Sequence, residues 1–154
     1  DIKKTITILF LLFTATAFTF ASNPILRGNW KGLILSNDNT DVDNKNGLQV
    51  SLFITDDNDV GDFRGEMTVR YRYQTDVYKA KYQITGKLDY NTYKLQIRQD
   101  KFIFADVLPK GLNWCIGSGT ARMYRSTYKK KVIMDGTLAT NCGAERLRMV
   151  LIKQ

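Results

Sequence analysis

Apolar and polar residues alternate one by one along most of this chain, and a period of two belongs to strands with one dry and one wet face. Leu48, Val50, Leu52 and Ile54 alternate with Gln49, Ser51, Phe53 and Thr55. Phe63, Gly65, Met67, Val69 and Tyr71 alternate with Arg64, Glu66, Thr68 and Arg70. Tyr78, Ala80, Tyr82, Ile84, Gly86 and Leu88 alternate with Lys79, Lys81, Gln83, Thr85 and Lys87, and Tyr93, Leu95 and Ile97 with Lys94, Gln96 and Arg98. Stretches 30–36, 115–125, 131–140 and 146–153 complete eight strands. No stretch beyond residue 21 carries a convincing helical period. The connections are rich in turn formers, such as Asp56-Asp57-Asn58-Asp59-Val60-Gly61, Asp89-Tyr90-Asn91-Thr92 and Ser126-Thr127-Tyr128-Lys129-Lys130. Residues 100–113 are the least regular, and their Phe102-Ile103-Phe104 run reads as a short extra strand or as a plug across one end.

Glycine inside a strand weakens it, so it needs a reason such as a tight bend or a close backbone approach. Four glycines follow an apolar residue by two: Trp30-Lys31-Gly32, Phe63-Arg64-Gly65, Ile84-Thr85-Gly86 and Met134-Asp135-Gly136. They point to a sheet that curls and closes, which also removes exposed edges. The predicted fold is all-β: an eight-stranded antiparallel up-and-down barrel or tightly curled sheet, in one domain over residues 22–154.

Register follows from arithmetic on the turns. If the sixth and seventh strands turn midway between Tyr128 and Lys129, Met123 opposes Met134, Ala121 opposes Gly136, Arg122 opposes Asp135 and Cys115 opposes Cys142. Opposed residues of that kind lie within disulfide reach. The same reasoning places Leu88 opposite Tyr93, Gly86 opposite Leu95 and Ile84 opposite Ile97.

Residues 1–21 read as a secretory signal peptide: Lys3 and Lys4, an apolar centre from Ile6 to Phe13, then Ala15-Thr16-Ala17 and Thr19-Phe20-Ala21 as cleavage patterns. Cleavage after Ala21 is expected, with a retained membrane anchor as the rival reading. The protein is then secreted or periplasmic, and its two cysteines form one disulfide.

The opening Gly28-Asn29-Trp30 resembles the G-x-W start of calycin-type barrels, the lipocalins and avidins. Asp62-Phe63-Arg64-Gly65-Glu66 is similar to the early avidin layout. Trp114-Cys115, Met123-Tyr124, Asp135-Gly136-Thr137-Leu138 and Asn141-Cys142-Gly143 resemble small secreted bacterial lipocalin-like domains. The resemblance implies a barrel that can hold a small apolar ligand. Biotin does not carry over, because Gly32 stands where the avidin asparagine belongs and Met67 where its tyrosine belongs.

Trp30, Tyr71, Tyr78, Tyr82 and Tyr93 fall on the apolar faces and are the candidate ligand-binding residues, with plain core packing as the alternative. Lys79, Lys81, Lys87, Lys94 and Arg98 share the wet face of one hairpin. Charge is uneven: three basic residues (Arg27, Lys31, Lys45) stand against seven aspartates over 22–63, whereas residues 64–154 carry 18 Lys/Arg against seven acids. That basic face could meet an anionic envelope component. Nucleic acid is not expected, because no aromatics interleave with these cations for stacking. A membrane partner is expected only if the leader is retained.

The chain has no histidine. Ser-His-Asp and Cys-His sites and histidine zinc sites are thereby excluded, and no carboxylate pair or phosphate-binding loop stands out. No enzyme activity, cofactor or metal is expected. Asp41-Val42-Asp43-Asn44-Lys45-Asn46-Gly47 is a poor calcium loop, with Lys45 at a ligand position and Leu52 where the bidentate Glu belongs. Asp38 and the cluster Asp56, Asp57, Asp59 and Asp62 read as polar turns.

Overall fold

A computed structural model describes residues 26–36, 47–127 and 130–154. The leader at 1–21, Asp38, Asp41, Asp43, Lys45 and the Tyr128-Lys129 turn centre lie outside the described residues. Eight strands follow one another: β1 Gly28–Ser36, β2 Leu48–Asp57, β3 Asp62–Tyr73, β4 Asp76–Asp89, β5 Lys94–Ala105, β6 Gly117–Arg125, β7 Val132–Thr140 and β8 Arg146–Lys153. Each pairs antiparallel with the next, and β8 returns to β1, which closes the barrel. No helix occurs among the described residues.

Closure depends on how near the backbones come. At Gly86, a methyl group would strike the Gln96 carbonyl and the ring of Phe63, which is its cross-strand partner. At Gly136 it would strike the Thr120 carbonyl and Ala121. The two glycines thus let neighbouring strands coil inward where side chains would hold them apart. The interior is filled by Trp30, Phe63, Met67, Met134 and Met149, all at most 2% exposed.

The β6–β7 register has Met123 opposite Met134, Ala121 opposite Gly136 and Arg122 opposite Asp135. The ladder stops at Gly117 and Thr140, so Cys115 and Cys142 face each other just beyond it, with Cα atoms 5.6 Å apart and a disulfide between them. Asn141 donates its backbone N–H to the Ile116 carbonyl and accepts the Ile116 N–H on its side-chain oxygen, continuing the pairing to the bridge. Asp135 does not pair with Arg122. Its carboxylate takes two hydrogen bonds from Arg148 on β8, at 3.2 and 2.9 Å, which raises the Arg148 pKa.

The β4–β5 register differs from expectation by two residues: Leu88 faces Leu95, Gly86 faces Ile97 and Ile84 faces Gln99. The turn holds four residues rather than two. Asp89 accepts the Asn91 N–H at 2.8 Å, Tyr93 donates to the Asp89 carbonyl at 2.8 Å, and Tyr93 turns left-handed at φ 56°. A slip of two preserves which face each residue occupies, so the dry face survives the correction. The 102–104 run is neither a separate strand nor a plug. It continues β5 through irregularities opposite Lys81–Tyr82 and Gln83–Ile84. The plugging role falls instead to the connector after β5.

Candidate functional site

The barrel has two unlike ends. At the end where β1 begins, Trp30 is fully buried and donates its indole N–H to the Leu26 carbonyl at 2.9 Å. Lys153 lies over its ring, 5.7 Å from the centroid. This end is a packed floor.

At the other end, where the disulfide sits, the interior opens into a cavity of about 190 Å³. Ile34, Leu48, Val69, Leu138 and Leu147 form its strand walls, and Leu108, Leu112 and Trp114 of the connector form its roof. Trp114 is fixed by donating its indole N–H to the Asp106 carbonyl at 2.8 Å.

Gln99 and Tyr82, alongside Asn113 and Thr140, give this mostly apolar space a polar side. Gln99 is 6% exposed, and the alternation of β5 turns it inward beside Ile97. Its side-chain oxygen accepts the Gly117 N–H at 2.7 Å, while its NH₂ donates at 3.4 Å to the sulfur of Met67, a weak acceptor. Tyr82 donates its hydroxyl to the Cys115 carbonyl at 2.9 Å, and its ring lies 4.7 Å from that of Phe102. Burial pushes the Tyr82 phenol up to about 12, so it stays a neutral donor and acceptor at physiological pH.

Of the five aromatics singled out from sequence, Tyr71 and Tyr82 line the cavity. Tyr78 faces Tyr71 across β3 and β4 but is not part of the wall. Trp30 belongs to the floor, and Tyr93 sits in the β4–β5 turn packed against the core. Gln99, Leu108, Leu112 and Trp114 were missed. Gln99 had a signal: it is a polar residue at the inward parity set by Leu95 and Ile97. The connector residues had none, because irregular backbone carries no period.

The five cations do share the outer face of β4 and β5, but not as five free charges. Lys81 pairs with Glu66 at 2.7 Å and Arg98 with Asp100 at 2.6 Å. Lys79, Lys87 and Lys94 are exposed and make no ion pair among the described residues. At the β2–β3 turn, Asp57 pairs with Arg27 ahead of β1 at 3.3 Å, while Asp62 donates its backbone N–H to the Asn58 side-chain oxygen and accepts the Asn58 side-chain N–H on its carboxylate.

No protein-family model, no curated protein and no solved structure matches this chain.

Proposed function

We propose that this is an exported β-barrel that binds a small, mostly apolar ligand in the cavity at its disulfide end. The observation that carries the reading is the Gln99 carboxamide, buried at a mostly apolar cavity with only a thioether sulfur against its NH₂. A few placed polar groups in an apolar hollow are what orients a bound small molecule. An apolar cavity of about 150 Å³ is enough for benzene, so the volume suits a single ring or a short branched chain rather than a long acyl chain. The resemblance of Gly28-Asn29-Trp30 to the calycin opening supports the same use. The signal-peptide pattern of residues 1–21 and the disulfide support an oxidising location outside the cytoplasm.

Trp114 lines the cavity and reports on it. Titration with cyclohexanol and short branched alcohols should give a saturable change in tryptophan fluorescence that Leu147→Phe weakens. No saturable change with any of these probes, in a protein whose disulfide is intact, would falsify the reading.

The filled lower interior favours a second reading, in which the barrel is an envelope or protein-interaction module and the outer face of β4 and β5 meets an anionic polymer. Lys79, Lys87 and Lys94 supply its available charge. Salt-sensitive retention on an anionic envelope polymer, lost on Lys87→Glu with Lys94→Glu, supports this use. Retention unchanged by both substitutions rules it out.

A further inference from the structure

The strands do not end level. At the disulfide end, β3 and β4 pair on to Tyr73 and Asp76, past the last β2 pairing at Gln49–Arg70. β5 pairs with β6 only from Lys94 to Arg98, yet runs on beside β4 to Ala105. These ends of β3, β4 and β5 form a three-stranded tongue projecting beyond the rim.

Its composition is unusual for a surface. Val77 on β4 and Phe104 on β5 occupy the outer face, 44% and 46% exposed, and Ile103 beside the β5 irregularity is 49% exposed. Val107 is 91% exposed just past the strand, where the Asp106 N–H bonds the Lys79 carbonyl. Single exposed apolar residues are ordinary, but four gathered on the ends of two neighbouring strands and the segment that follows mark an interaction site. Arg72, Lys79, Lys101 and Lys110 surround the group and make no ion pair among the described residues. Of the nearby carboxylates, Asp100 is held by Arg98 and Thr85, and Asp106 accepts the Lys79 backbone N–H. Asp76 at the hairpin tip and Asp106 keep their charge without an ion-pair partner among the described residues, against the four cations.

We infer that this tongue docks the disulfide end of the barrel on an anionic lipid bilayer, with Ile103, Phe104 and Val107 entering the interface and the cations meeting lipid phosphates. Apolar side chains ringed by unpaired cations are complementary to such a surface on both counts. A soluble polyanion would use the cations and leave the apolar tip without a role. The contact differs from the outer wall formed by Lys87 and Lys94, and it does not need residues 1–21. None of the three inserted side chains lines the cavity, so this inference and the ligand reading stand or fall separately.

Val107→Trp in the full chain places a probe on the tip, read as the difference from the parent's own Trp30 and Trp114. With vesicles of phosphatidylglycerol and phosphatidylcholine, the added emission should shift to the blue and be quenched by brominated acyl chains. Pure phosphatidylcholine vesicles should give no shift. Lys79→Glu and Lys101→Glu, each a change of two charges, should each lower partitioning about thirty-fold, and Ile103→Asp with Phe104→Asp should remove the quenching. Thr137→Trp, on the outer wall of β7, should not respond. The inference is overturned by an unchanged Val107→Trp spectrum on anionic vesicles, or by charge reversals without effect. An equal shift with soluble dextran sulfate overturns it in favour of charge recognition alone. A concentration-dependent shift without lipid overturns it in favour of contact between copies of the chain. Because the charge reversals lie on exposed positions, they keep the test valid even if the paired aspartate variant fails to fold.

Discussion

Tyr82 joins three parts of the molecule. Its ring packs on Phe102 of β5, its backbone belongs to β4, and its hydroxyl holds the carbonyl of the disulfide cysteine Cys115. Burial raises its pKa from 10.0 to about 12, because a phenolate there would lose hydration without gaining a cation. A raised pKa stabilises the fold fully below pH 10, and that contribution is lost as pH rises through the folded value. Phenolate absorbance across an alkaline titration should therefore show a late step near pH 12 that Tyr82→Phe deletes, beyond the smaller rise that burial gives Tyr90. A late step persisting in the variant would assign it elsewhere. Gln99 is the companion case, a polar side chain whose environment was partly readable. Its inward parity follows from Leu95 and Ile97, whereas its partner, the Gly117 N–H, comes from a strand 18 residues away with no sequence signal.

Among the strands and turns, legibility depended on turn geometry. Alternation fixes which face each residue takes, and that held for every strand assigned from it. It does not fix register to better than two residues, because a slip of two leaves the faces unchanged. The β6–β7 register was readable because two cysteines, an Ala-Gly pair and a Met-Met pair all agreed on it. The β4–β5 register had no such constraint. It was decided by Asp89, whose carboxylate holds the Asn91 N–H and widens the turn to four residues. That hydrogen bond, followed by one from Thr92, keeps the Asp89 carboxyl below its ordinary pKa. A lowered carboxyl pKa contributes stability above the unfolded value that disappears as pH falls through the folded one. Asp89→Asn should thus melt below the parent at neutral pH, and the gap should close in acid. A gap independent of pH would mean that the charged carboxylate is not what holds the turn.

The disulfide also acts on an element, since it clamps the open end of the β6–β7 hairpin. The loop spans 27 residues, for which chain entropy gives about 3 to 4 kcal/mol. The lower part of that range is expected, because pairing already brings the two ends together. Cys115→Ala with Cys142→Ala should lower the melting temperature and leave the far-ultraviolet circular dichroism of the sheet unchanged. Loss of the β signal would show that the bridge is required for folding and not only for its stability.

Over the whole molecule, the barrel is a solid floor joined to a hollow mouth. Such an asymmetry predicts opposite responses to opposite volume changes. Trp30 is wholly buried, with its indole N–H satisfied by Leu26. Trp30→Ala removes the whole indole ring from a close-packed region and leaves the Leu26 carbonyl without its donor, a change that costs about 3 to 5 kcal/mol in other cores. Leu147 stands at the cavity wall, half-buried beside unfilled space. Leu147→Phe adds volume where about 190 Å³ is free, so it should be neutral or slightly stabilising, unlike overpacking in a filled core. Melting curves of the two variants with and without cyclohexanol separate the halves. The floor variant should melt far below the parent while still responding to cyclohexanol at temperatures where it is folded. The mouth variant should melt at or above the parent and respond less. If Leu147→Phe instead costs as much as a typical overpacked core, the mouth is not a standing cavity, and ligand entry would require the Leu108–Leu112 roof to move first.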